Sequence, residues 1–137
     1  MDPLSFHALA TLLSIASSIK NLMTQNRISS TAALARFRAD ANQEDQTILS
    51  IGTNVDAILK TTIISAPLLS QLAAEARACE EEHVRKRKAS SQMAKDQADI
   101  DAAQCMCGAL RLILRYNAGK FPDVLYENYW KSYSCSL

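Results

Sequence analysis

Each of the three prolines in this sequence stands where a helix could begin. They are Pro3, Pro67 and Pro122, and Asp2 and Ser65 supply capping oxygens before the first two. Proline is well tolerated in the first helical turn, because its missing N–H would have no intrahelical partner there and its φ angle is already helical. Glycine is also scarce, while alanine and leucine are frequent, as in helical proteins. These features predict an all-α fold.

Apolar residues recur every three or four positions over several stretches of the chain, which is the period of an amphipathic helix. We expect a single domain over residues 1–137, in which three long helices and one short aromatic helix pack as an irregular bundle. The predicted helices cover about 3–24, 30–64, 67–118 and 122–131.

The third predicted helix is amphipathic at both ends but polar almost all round in its middle. It is either one long solvated helix or two helices that break near Ala89-Ser90-Ser91. Glu81 and Arg85 have the i,i+4 spacing and order that stabilise a helix, and we therefore predict a continuous one. The sequence Asn117-Ala118-Gly119 is typical of a left-handed C-terminal cap.

The first 23 residues carry one acid, Asp2, and then no charge until Lys20. A signal peptide begins with a basic region, which this stretch lacks. A membrane-spanning helix needs about 20 strongly apolar residues, and here serine and threonine dilute the run. We therefore expect the helix over 3–24 to be buried in the bundle. Insertion of this helix into a membrane and secretion of the protein are the alternatives.

The opening MDPLS, followed by a small apolar helix, resembles the start of many fungal STAND (NLR-like) proteins, whose N-terminal domains are helical. The resemblance covers about residues 1–23. The nucleotide-binding pattern Gly-x-x-x-x-Gly-Lys-Ser/Thr does not occur in the sequence. The resemblance implies a signalling or self-associating domain, and some relatives in that family act on membranes.

Arg85, Lys86, Arg87 and Lys88 form a basic cluster just before Ser90. This order is the one that basophilic kinases prefer, and we predict that Ser90 is exposed and can be phosphorylated. The cluster could also serve nuclear import or bind an acidic partner, although glutamates one turn earlier offset its charge. No aromatic side chains interleave with it and the net charge is +1, so we do not expect nucleic acid as a partner.

The four cysteines are predicted to be reduced. Cys105 and Cys107 are too close in sequence for an unstrained bridge, and Cys79 lies in a charged helical stretch. We therefore expect an intracellular, cytoplasmic protein. Together with His83 these cysteines could bind zinc, but on a continuous helix Cys79 and Cys105 would be about 39 Å apart. Only a hairpin near Ser90 would unite them, and we predict no metal and no cofactor.

Most of the aromatic residues lie near the C-terminus. We predict that Leu125 and Tyr129 anchor this tail while Tyr126, Trp130 and Tyr133 bind a partner, because tyrosine and tryptophan dominate interface hot spots. The alternative is that the tail folds back and closes one end of the bundle.

No catalytic motif is present: the sequence has no phosphate-binding glycine loop, no His-Glu-x-x-His and no nucleophile elbow. We therefore predict a non-enzymatic adaptor or signalling module, which acts through helix faces and binds another protein or a second copy of itself. A membrane-active helical bundle and a small helical enzyme are the alternative functions.

Overall fold

The computed structural model describes residues 5–44 and 66–137. Within these ranges the chain forms helices and no strand, which confirms the all-α prediction. The rest of the second predicted helix lies outside the described residues. The helices are α1 (Phe6–Thr24), α2 (Ser30–Glu44), α3 (Ala66–Lys86), α4 (Gln92–Tyr116) and α5 (Val124–Ser132).

Helix α1 forms the centre of the described core. It packs against α2 and α3 and also touches α4. Its buried residues cover a broad arc, in agreement with the expectation from the sequence that this helix is buried in the bundle. They include Leu9, Leu12, Leu13, Ala16 and Ile19, and the facing helices contribute Phe37, Leu69, Leu72, Met106 and Leu110.

The side-chain oxygens of N-cap residues, rather than the prolines, mark the first residues of α1 and α5. Ser5 and Asp123 each accept a hydrogen bond from a backbone N–H, at 3.1 and 2.8 Å. Helix α1 therefore begins at Phe6 and α5 at Val124, after the prolines that the sequence suggested as first residues. Pro67 does lie in the first turn of α3, as predicted.

The predicted continuous helix over 67–118 is wrong. Helix α3 ends at Lys86, and α4 begins at Gln92 and packs back along α3 as a hairpin. The hydroxyl of Ser91 caps α4. An i,i+4 ion pair stabilises a helix by only about 0.2–0.5 kcal/mol, and burial of apolar residues such as Ala102 between the two helices outweighs it.

Three helices are each followed by a residue with a side chain in the left-handed region. Asn26 after α1, Ala118 after α4 and Ser134 after α5 have φ angles of 55°, 54° and 53°. In each case the following residue donates its N–H to the carbonyl five residues earlier, as Gly119 does to Leu114 at 2.8 Å. This is the Schellman arrangement, and it confirms the cap predicted after α4.

We expect Ala118→Gly to raise the free energy of unfolding by about 1 kcal/mol. A residue with a Cβ loses roughly 1–2 kcal/mol in the left-handed region, and this exceeds the extra chain entropy of glycine in the unfolded state. Ala78→Gly is the matched control: Ala78 is exposed within α3, so its replacement should lower the free energy of unfolding by about 1 kcal/mol. Urea unfolding measures both. A loss of stability in Ala118→Gly would contradict this account of the cap.

Candidate partner-binding groove

Two disulfides hold α3, α4 and the C-terminal segment together. Cys79 is bonded to Cys105 and Cys107 to Cys135, with Cα–Cα distances of 5.7 and 5.6 Å. The expectation of reduced cysteines is therefore wrong. The α3–α4 hairpin is the physical reason, because it brings Cys79 beside Cys105. Among the residues that the structure describes, no group of three or more His, Cys, Asp and Glu side chains could hold a metal ion.

An open groove of about 640 Å³ lies at the end of the molecule where α4 leads into α5. Its walls come from the last turn of α4, the connection to α5, α5 itself and the last residue of the chain. We call it the C-terminal groove. The apolar residues that line it are Leu114, Phe121, Pro122, Val124, Trp130 and Leu137.

The short helix α5 divides its side chains between the core and the groove. Leu125 and Tyr129 are fully buried, as predicted for the anchors of the tail. Trp130 is half-buried on another side of the helix and packs against Phe121, with their ring centroids 5.7 Å apart. Val124, at the start of α5, is 56% exposed at the edge of the groove.

The prediction that Tyr126, Trp130 and Tyr133 are all available to a partner is wrong for two of the three. Tyr126 is 1% exposed, and Tyr133 is buried against Phe6 and Tyr129 with ring centroids 5.1 and 5.6 Å apart. Helix α5 buries Tyr126 and Tyr129, and Tyr133 is buried just after it, so the tail does close one end of the bundle. Of the predicted residues, Trp130 opens onto the groove.

The buried hydroxyl of Tyr126 has no hydrogen-bond partner among the described residues. Burial raises the pKa of Tyr126 far above its ordinary value, and the nearby carboxylate of Asp123 raises this pKa further. Leaving a buried hydroxyl without a partner costs about 1–3 kcal/mol. Tyr126 therefore contributes apolar packing and carries an unfavourable polar atom.

We expect Tyr126→Phe to raise the free energy of unfolding by about 1 kcal/mol at neutral pH, because it removes that hydroxyl without opening a cavity. Above about pH 10 the phenol of the parent ionises in the unfolded chain but stays protonated in the folded one, so stability falls as pH rises. This residue should contribute about 1.4 kcal/mol of loss per pH unit. Urea unfolding near neutral pH and near pH 11 measures both effects. Equal pH dependence in parent and variant would contradict the burial of the phenol.

The C-terminal groove itself is lined by two lysines and two acids, Asp123 and Glu127, so its own charges balance. A smaller concavity shares Leu114 and Leu137 with the groove and is lined by Arg111 and Arg115. Lys120 lines the groove itself, beside a second lysine that is paired with a glutamate on α5. In residues 5–44 and 66–137, Arg115 and Lys120 form no ion pair. Arg111 and Arg115 therefore give the two neighbouring concavities together more cations than anions, and this excess favours an anionic group.

The basic cluster lies at the turn of the α3–α4 hairpin, and none of its residues lines the C-terminal groove. Lys86 pairs with Asp101 at 3.3 Å and Arg87 with Asp99 at 3.0 Å, while Arg85 pairs with a glutamate of its own helix. The hydrogen bond to Asp101 is the main reason that the pKa of Lys86 is raised. Acidic residues of α4 therefore offset the charge of the cluster. In a continuous helix these acids would lie several turns away from the cluster.

Ser90 is exposed in the turn between α3 and α4, as predicted. Its phosphorylation stays a prediction. A phosphate there would lie beside the basic cluster and before the N-terminus of α4, where both the cations and the helix dipole favour negative charge.

In the part of the chain that the structure describes, every helix falls short of the length and apolar character needed to cross a bilayer. No protein-family model, no curated protein and no solved structure matches this chain.

Proposed function

We propose that this protein is a non-enzymatic interaction module, an adaptor or signalling domain, whose C-terminal groove binds an acidic segment of a partner protein. The segment would carry a large apolar side chain that enters the groove. The observation that carries the proposal is the position of Trp130, half-buried beside the exposed Val124 in a groove with cations at its edge.

The apolar part of the groove supplies affinity. Trp130 already packs on Phe121, so its ring loses little conformational freedom when a partner binds. A partner side chain would cover Val124 and Leu137, and each Å² of apolar surface that is buried contributes about 25 cal/mol. A tryptophan in a concave apolar site is the residue type that most often dominates binding energy.

The charged part of the groove supplies selectivity. Lys120 lines the groove and Arg115 lines the smaller concavity beside it, and neither has an ion pair within the described ranges. Acidic residues that flank an apolar anchor would pair with them. Such complementarity raises the association rate and discriminates against basic partners more than it raises affinity.

Two other interpretations differ in what they require of the fold. A membrane-active bundle would need α1 to leave the core and expose its buried arc to lipid. A self-associating domain, which the resemblance of residues 1–23 to STAND proteins implies, would place a second copy in the groove. A signalling role is common to both this resemblance and our proposal.

We also propose that the functional form is the oxidised one. The sequence predicted a cytoplasmic protein, with nuclear import as an option of the basic cluster. Disulfides are rare in those compartments and persist in oxidising ones, so the Cys79–Cys105 and Cys107–Cys135 bonds favour an oxidising location.

A random peptide library selected against the oxidised protein tests the groove. We expect enriched peptides to combine an aromatic or large aliphatic residue with flanking aspartate or glutamate. Because Trp130 is the single tryptophan of the chain, its fluorescence reports binding at the groove directly. Val124→Glu places a negative charge at the groove and should weaken binding at least about tenfold, which is roughly 1.4 kcal/mol.

Val84→Glu is the matched control, because Val84 is 52% exposed on α3 and does not line the groove. This substitution should leave peptide binding unchanged. Enrichment of basic or uncharged peptides, an equal loss in both variants, or no enrichment at all would refute the proposal. Analytical ultracentrifugation of the free protein tests whether a second copy of the chain occupies the groove. A dimer that Val124→Glu dissociates would assign the groove to that second copy.

A further inference from the structure

A second cleft, of about 390 Å³, lies between α1, α2 and α3 and shares no residue with the C-terminal groove. Thr11, Ser14 and Ser18 line it from α1, because steps of three and four residues place their hydroxyls on one helix face. Helix α2 contributes a basic, an acidic and an amide side chain at similar spacing. Helix α3 contributes one arginine. These four residues are Arg36, Asp40, Gln43 and Arg77.

The guanidinium of Arg77 is held in place by its neighbours. One of its terminal nitrogens donates to the carboxylate of Glu80, and the other donates to Ser14 Oγ at 3.3 Å. Glu80 is only slightly exposed and also binds His7, so its charge is shared between two partners. Arg77 is therefore oriented along the cleft before any ligand enters.

Arg36 lies across the cleft from α1 and is held loosely. Its nearest carboxylate oxygen, from Asp40, is 3.7 Å from Nε, and both side chains are largely open to solvent. The lining of the cleft contains two cations and one anion, together with hydroxyls and an amide that can donate hydrogen bonds, and Glu80 pairs with Arg77 from outside the lining. An incoming anion would share the two guanidinium groups with Asp40 and Glu80 and would find further donors in the hydroxyls and the amide.

We propose that this cleft binds a phosphate group, with Arg36 and Arg77 as its charged ligands and Ser14 and Ser18 as hydroxyl donors. The planar fork of arginine matches phosphate oxygens with two parallel hydrogen bonds. A phosphate group offers at least three acceptor oxygens, which suits two guanidinium groups and the hydroxyls better than the two oxygens of a carboxylate. Ile15 also lines the cleft, so an organic group attached to the phosphate has an apolar wall to contact.

Titration of the full chain with inorganic phosphate and with phenyl phosphate, at constant ionic strength, tests this site by NMR. We expect saturable shifts of the backbone amides of Ser14, Ser18 and Arg77. Tighter binding of phenyl phosphate would assign the site to an organic phosphate ester, and equal binding would assign it to free phosphate. Either result supports a phosphate site.

Arg36→Gln should weaken phosphate binding at least about tenfold, because it removes one charged ligand. Arg38→Gln is the matched control: it removes the same charge from the same helix at an exposed position that does not line the cleft. Arg36 is itself exposed, so its replacement should leave the fold intact, which the spectrum of the unliganded variant verifies. Linear shifts without saturation, shifts outside the cleft, or equal losses in both variants would overturn the proposal.

Discussion

Leu12→Asp should lower the free energy of unfolding by more than about 4 kcal/mol, enough to unfold a domain of ordinary stability. Leu12 is 0% exposed within the arc of α1 that packs on its neighbours. An aspartate there would bury a carboxylate without a partner, or would have to stay protonated at neutral pH, and both are costly. Circular dichroism during thermal and urea unfolding measures the loss.

Met93→Asp is the control for this substitution. Met93 is 83% exposed in the first turn of α4, so an aspartate replaces a solvated apolar side chain near a helix N-terminus, where negative charge is favourable. Its effect should stay within about 0.5 kcal/mol of the parent. If Leu12→Asp unfolds at the same temperature as Met93→Asp, α1 does not form the core.

Removal of either disulfide should lower the free energy of unfolding by about 3 kcal/mol, because the bonds close loops of 26 and 28 residues that restrict the unfolded chain. The double variants Cys79→Ala/Cys105→Ala and Cys107→Ala/Cys135→Ala isolate the two bonds. Guanidinium unfolding without reductant measures each loss. A parent that is as unstable as both variants would mean that neither bond contributes.

The two disulfide variants should differ in peptide binding. Cys135 holds the segment that ends in Leu137, so loss of its bond to Cys107 should loosen one wall of the C-terminal groove. The Cys79–Cys105 bond joins α3 to α4, and neither of these cysteines lines the groove. Selected peptides should therefore bind more weakly to Cys107→Ala/Cys135→Ala and normally to Cys79→Ala/Cys105→Ala.

The pairing itself can be read directly by chemical cleavage. Met106 lies between Cys105 and Cys107, so cyanogen bromide separates these two cysteines before tryptic digestion and mass spectrometry. We expect a peptide containing Cys79 to be linked to the one with Cys105. Either of the other two pairings would contradict the oxidised structure. Free thiols in protein that is alkylated while its native cells are lysed would also contradict it.

Part of the candidate site could be predicted from the sequence. The concentration of aromatics singled out Trp130, and the spacing of Leu125 and Tyr129 identified the anchors of the tail. Val124 and Phe121 were not predicted as part of a groove, because their role depends on where the chain turns after α4. The cleft proposed to bind phosphate had one signal in the sequence, the serines and threonine that dilute the apolar run of α1, but the arginines that complete it lie on two other helices.

The sequence by itself determined the helical class, the burial of α1 and the cap at Ala118, because composition, periodicity and local backbone hydrogen bonds act within a few turns. Only the tertiary structure decided where the long polar stretch reverses, which cysteines meet and which aromatic side chains stay accessible. Local ion pairs favoured a continuous helix by a few tenths of a kcal/mol, whereas packing α4 on α3 buries apolar surface and brings Cys79 to Cys105. This gain in stability depends on contacts between residues far apart in the chain, and a local sequence pattern does not predict such contacts.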